Sequence, residues 1–154
     1  MERTDLETNL ALWLKDQPDA IAFCLAILRV AHTWDDLIDR DKPVEDCTLN
    51  QAFWTALIEL PQNPFYVRHF ASLHPVMQLG ILNWQSANRL ERSDVQEHRL
   101  MAFTLRCMIG DVITMSALLI AGPLWAAEVH YAVQIAYPES LNQYLASVPR
   151  TTRS

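Results

Sequence analysis

Glycine is scarce in this sequence, with only three in 154 residues, and no Asn-Gly or Asp-Gly pair offers a tight hairpin turn. β-Branched residues never alternate with polar ones for long, so strands have little support. The three cysteines, Cys24, Cys47 and Cys107, are odd in number, widely spaced and contain no CxxC pair. That excludes a disulfide framework and leaves buried thiols in a reducing compartment as the expectation. Basic clusters are missing too: 12 Lys and Arg against 18 Asp and Glu leave a formal charge of −6, which disfavours nucleic acid as a partner. No Gly-rich phosphate loop, no HExxH and no nucleophile elbow occur. The amino terminus is polar and acidic, unlike a signal peptide. The uncharged run 112–127 is short for a membrane span and is interrupted by Gly122-Pro123, so it is expected in the core. A soluble cytoplasmic protein with no membrane partner is the expectation.

What is present is apolar surface at helical spacing. Hydrophobic residues make up 51% of the chain and include five Trp, enough for one well-packed domain spanning 1–154, its last few residues frayed. The spacing and punctuation predict helices over 6–15, from Pro18 to about Arg40, over 49–60, from Pro75 to about Arg92, from a Ser93-Asp94 cap to about Ile120, and from Pro123 to about Tyr137. A short aromatic segment, 65–73, leads to the fourth of these, and a last short helix over 139–147 precedes the polar tail. The fold class is all-α, a single compact bundle of six or seven helices.

Polar residues that fall on apolar helix faces are the candidates for function. In the second helix, Asp36 falls on the polar arc with Arg29, Thr33 and Arg40, and Arg40 is placed to pair with it. Asp35, Asp39 and His32 fall inside the apolar arc. Two carboxylates one turn apart with little water require a cation or strong donors. A divalent metal, Mg²⁺ where a phosphate completes the shell, is one solution; Arg or Trp donors at a half-solvated helix end are the other. On the fourth helix Asn83 and Glu91 lie on the apolar face with Ala87 between them. On the fifth, Asp111 lies at the edge of the apolar face, while Arg99 and Arg106 point away. The metal candidates are therefore Asp35, Asp39, Asn83, Glu91 and Asp111. His32 is the candidate catalytic group, one turn from Asp35 and able to move a proton.

The segment Leu28-Arg29-Val30-Ala31-His32-Thr33-Trp34-Asp35-Asp36-Leu37-Ile38-Asp39 resembles the first aspartate-rich segment of class I isoprenoid synthases. The resemblance implies that Asp35 and Asp39, the first and last acids of DDxxD, bind Mg²⁺ that holds a substrate diphosphate. Asn83 and Glu91 match the first and third places of that family's second metal segment, with Ala87 at the middle place. Gly110-Asp111-Val112-Ile113-Thr114 is similar to a fragment of such a segment, with Leu118 where the acid would stand. A small all-α pyrophosphohydrolase suits the length, although its paired ExxE and ExxD segments are not evident.

Two functions follow. One is a Mg-dependent enzyme acting on a diphosphate-bearing small molecule at a carboxylate-lined site inside the bundle. The other is a non-enzymatic helical interaction protein, a homodimer being one form, whose inward acids only make hydrogen bonds.

Overall fold

The computed structural model describes residues 3–40, 43–136 and 140–147, and among these there is no strand. The expected all-α bundle is what forms. The expected helix end at Tyr137 and the frayed last residues lie outside the described residues.

Helix α1, Arg3–Trp13, ends at Lys15 and Asp16, both in the left-handed region. Helix α2, Pro18–Asp39, starts as Pro18 dictates: Gln17 before it is extended and the proline ring suits the first helical position. It closes on Arg40, at φ 55°, whose N–H donates to Asp36 O. Helix α3 begins as Asp46–Trp54, widens into a π-helical turn over Thr55–Glu59 and finishes over Leu60–Gln62. Pro61 explains the widening. It has no N–H to give Leu57 O, and its ring would collide with that carbonyl. The preceding N–H, that of Leu60, donates five residues back to Thr55 O.

Asn63 then caps a single turn, Pro64–Arg68, by accepting from Tyr66 N at 2.9 Å. Its Nδ2 donates to Asp19 O on α2, also at 2.9 Å. Helix α4, Phe70–Leu90, starts five residues before Pro75, where the sequence placed its opening. Pro75 falls early in the helix, where its missing N–H leaves only the Ala71 carbonyl without its helical donor.

The expected fifth helix is broken. It runs as α5, Gln96–Leu105, stops at Arg106-Cys107, and resumes as α6, Met108–Ile135. Helix α6 itself is a hairpin of two arms, 108–121 and 123–135, reversed at Gly122. A Cβ placed on Gly110 would lie 2.9 Å from Val133 Cγ1, and Thr114 Oγ1 lies 3.1 Å from His130 Nδ1. Those pairs would be more than 20 Å apart on a straight helix, at about 1.5 Å per residue. Gly122, with φ 82° and ψ 179°, holds the reversal in a conformation that is essentially restricted to glycine. As expected, Pro123 opens the returning arm. By length and composition, 96–135 includes one stretch apolar enough to cross a membrane, with 33% of it buried; the reversal at Gly122 falls within 96–135. Helix α7, Leu141–Ser147, ends the described chain.

The main core joins α1, α2, the 64–68 turn, α4 and both arms of α6 around Leu10, Leu14, Phe23, Leu73, Val112, Ile113 and Val129. A smaller cluster, Ala87, Ala102 and Tyr144, joins α4, α5 and α7. Trp125 locks the returning arm to α1: its Nε1 donates to Trp13 O at 2.9 Å, and Lys15 Nζ sits 3.3 Å from its ring centroid.

Candidate functional site

Asp35, near the C-terminal end of α2, meets the ends of α4 and α5. Its Oδ1 accepts from Trp84 Nε1 at 3.1 Å, and its Oδ2 lies 3.6 Å from Arg106 Nη2. Arg106 Nη1 donates to Glu91 Oε2, and Tyr144 Oη donates to the same oxygen at 3.2 Å. The Arg106 guanidinium lies 5.6 Å from the Tyr144 ring centroid, and Trp34 packs on Trp84 with centroids 4.9 Å apart. One cation thus bridges two carboxylates contributed by different helices.

Burial grades across the cluster. The side chains of Glu91 and Arg106 are 11% and 18% exposed, against 35% for Asp35. Tyr144 is buried, and its loss of water together with the Glu91 charge pushes its phenol up to about 12. Asn88 on α4 and Arg99 on α5 add a buried acceptor, Oδ1, and a buried donor, Nε, that have no hydrogen-bond partner in the structure.

Of the predicted site residues, Asp35 and Glu91 come together, but through Arg106. The expectation that Arg106 points away is overturned. It assumed that this side of the helix meets solvent, whereas Arg106, still helical at the C-cap of α5 with its N–H on Ala102 O, faces the end of α4 and reaches Glu91. Asp39 is exposed, not interior, because the last turn of α2 emerges from the bundle with Leu37 and Ile38, each 41% exposed. Asp36, read as solvent-facing, is half-buried instead. His32 is exposed. Asn83 is half-buried on α4. Asp111 is exposed in the first turn of α6; loss of some surrounding water raises its carboxyl pKa and His130 pulls it back.

Trp84 and Tyr144, which complete the cluster, were unassigned in the sequence. Trp84 reads there as an apolar-face residue, and nothing local marks Tyr144. The available signal was the requirement for donors around two inward acids, which Arg and Trp meet. Among the described residues no group of three or more His, Cys, Asp or Glu is arranged to hold a metal ion. Charge-assisted bonds in the cluster tie the smaller α4–α5–α7 core to the end of α2.

Comparison of the chain with family models, with curated proteins and with solved structures finds no match.

Proposed function

We propose that this protein is a non-catalytic helical interaction protein whose inward acids serve structure. The observation that carries this reading is the surface. Large apolar side chains stand exposed at helical spacing on more than one element. On α3, Phe53 and Leu57 are one turn apart and 59% and 66% exposed, with Trp54 and Ile58 beside them. On the returning arm of α6, Leu124, Tyr131 and Ile135 are 86%, 67% and 68% exposed. Contiguous apolar surface of this kind marks association in proteins that work in water.

The competing reading, a Mg-dependent enzyme on a diphosphate, rests on Asp35 and Asp39 with Glu91 and Asp111, of which Asp39 and Asp111 are exposed. The donor set fits a metal poorly. Both Asp35 oxygens face Trp84 and Arg106, and Glu91 Oε2 already receives Arg106 and Tyr144. Mg²⁺ bound there would have to displace or share the Trp84, Arg106 and Tyr144 donors, and the Arg106 cation beside both acids opposes a second positive charge.

Isothermal titration with Mn²⁺ and pyrophosphate separates the two. The interaction reading expects no saturable heat and the same thermal midpoint in Mg²⁺ and in chelator. Saturable metal binding that disappears in Asp35→Asn/Asp39→Asn overturns it.

A further inference from the structure

Two buried polar atoms of opposite kind stand without a partner in α4 and α5. Asn88 on α4 is 8% exposed, and its Oδ1, an acceptor, receives no hydrogen bond. Arg99 on α5 is half-buried, and its Nε, a donor, gives none. Both border the network built on Arg106. Asn88 lies one turn from Trp84 and from Glu91 on α4, and Arg99 lies one turn from Ala102 and two from Arg106 on α5. The connection between the two helices, 91–95, is short, so α4 and α5 pack antiparallel along a shared seam. Ala87 and Ala102 belong to one buried cluster in that seam, with Tyr144. With those two alanines level, positions 88 and 99 differ by only about 3 Å along the helix axes.

We infer that Asn88 Oδ1 and Arg99 Nε share an internal hydration site between α4 and α5. One water molecule there accepts from the Arg99 Nε–H and donates to the Asn88 side-chain carbonyl. Buried polar groups in native proteins are almost always hydrogen-bonded, and leaving one unmet costs the full loss of its hydration. A direct bond between the two side chains would meet both needs, but the structure holds the atoms unbonded. The chemistry of the pair selects the occupant. An anion would satisfy Arg99 and set its lone pairs against Oδ1, whereas a cation would do the reverse. Water both donates and accepts, and two protein partners fall within the range that buried waters make.

The site accounts for two polar residues that the apolar seam does not require. Arginine suits one side of it because Nε lies partway along the side chain, so a donor is enclosed while the residue as a whole stays half-buried. Asparagine suits the other because its short amide presents an uncharged acceptor, which avoids a third carboxylate near Glu91 and Asp35. The water would carry the hydrogen-bonded network of Arg106 and Glu91 further along the α4–α5 seam. This inference stands apart from the interaction reading and from any metal at Asp35.

A crystal structure of the full chain and a double-mutant cycle test the inference. The crystal is expected to show a water oxygen within about 3.2 Å of both Asn88 Oδ1 and Arg99 Nε. A direct Asn88–Arg99 bond overturns the inference, and so does a dry seam. An anion on Arg99, with the Asn88 amide turned over to donate to it, overturns it as well. In thermal denaturation, Asn88→Leu and Arg99→Met are each expected to lower the midpoint by roughly 3–8 °C, because each strands the other's polar atom with half a site. Asn88→Leu/Arg99→Met removes both atoms together and is expected to melt above either single variant. A double variant that melts at or below the lower of the two singles overturns the shared site. Should a variant fail to fold, the wild-type crystal alone decides.

Discussion

Arg106, the C-cap of α5, donates through Nη1 to Glu91, the C-cap of α4. The same guanidinium faces Asp35 at 3.6 Å, so the end of α2 is drawn into the α4–α5 hairpin. An arginine fork suits this task because it supplies several donors in fixed directions to two carboxylates at once. A charge-neutral donor in its place would leave Asp35 and Glu91 repelling each other.

Arg106→Met is therefore expected to destabilise the fold by about 2–3 kcal/mol, below the full cost of breaking a deeply buried pair because Asp35 remains partly hydrated. The thermal midpoint should fall by roughly 5–10 °C. Trp84→Phe removes one hydrogen bond to Asp35 and should cost only about 1 kcal/mol. Urea denaturation followed by circular dichroism measures both. Equal costs for the two variants would show that Arg106 is not the hub.

The two structural glycines should fail in different ways. A Cβ on Gly80 would lie 2.2 Å from Met108 Cγ, so Gly80→Ala overpacks the α4–α6 contact and should cost about 1–3 kcal/mol. Adding Met108→Ala should recover part of that loss. At Gly122 a Cβ meets nothing within 4 Å, so the cost of Gly122→Ala, again about 1–3 kcal/mol, comes from the backbone at φ 82° alone. No shrinking of a neighbouring side chain should rescue it. Denaturation of the two single variants and of the Gly80→Ala/Met108→Ala pair distinguishes the mechanisms.

Alkali should weaken the protein through Tyr144 and Cys24. Tyr144 is raised from 10 to about 12, first by burial and then by Glu91. An acid whose folded pKa is raised binds its proton more tightly in the native state. Its contribution is therefore complete below pH 10 and is lost as pH rises toward 12. Cys24, buried and raised from 9.0 to about 12 by loss of water, has the same sign and a window that opens near pH 9. Stability measured from pH 8 to 11 should fall, and Tyr144→Phe should flatten the upper part of that fall. At pH 8 a thiol reagent should label exposed Cys47 at once and reach Cys24 only on unfolding. Rapid native labelling of Cys24, or an identical pH profile for Tyr144→Phe, would contradict this account.

Much of the fold was legible from local chemistry. Pro18 and Pro123 open helices where expected, because proline suits a first turn. The apolar periodicity of α4 correctly placed Ala87 on the interior face. The requirement that Asp35 find a cation or strong donors was also readable, since it follows from burial of charge at a helix end. The π turn before Pro61 and the break at Arg106-Cys107 were not. The first is a local adjustment that periodicity does not reveal. The second has neither glycine nor proline to mark it, and Met108 is instead held in the notch at Gly80 by a contact between distant segments.

The acidic segment shows the division most clearly. Sequence by itself determined that Asp35 would sit among apolar neighbours and need compensation, because helix geometry places side chains about one axis regardless of what lies outside. Only the tertiary structure decided what compensates it. The directions of Trp84, Arg106 and Tyr144 depend on how α4, α5 and α7 end against α2, and so does the emergence of Asp39 into solvent. Helical phase is fixed within a few residues, whereas partnership is set by packing between residues as far apart as Asp35 and Arg106. That is why the inward acid was visible in the sequence and its arginine was not.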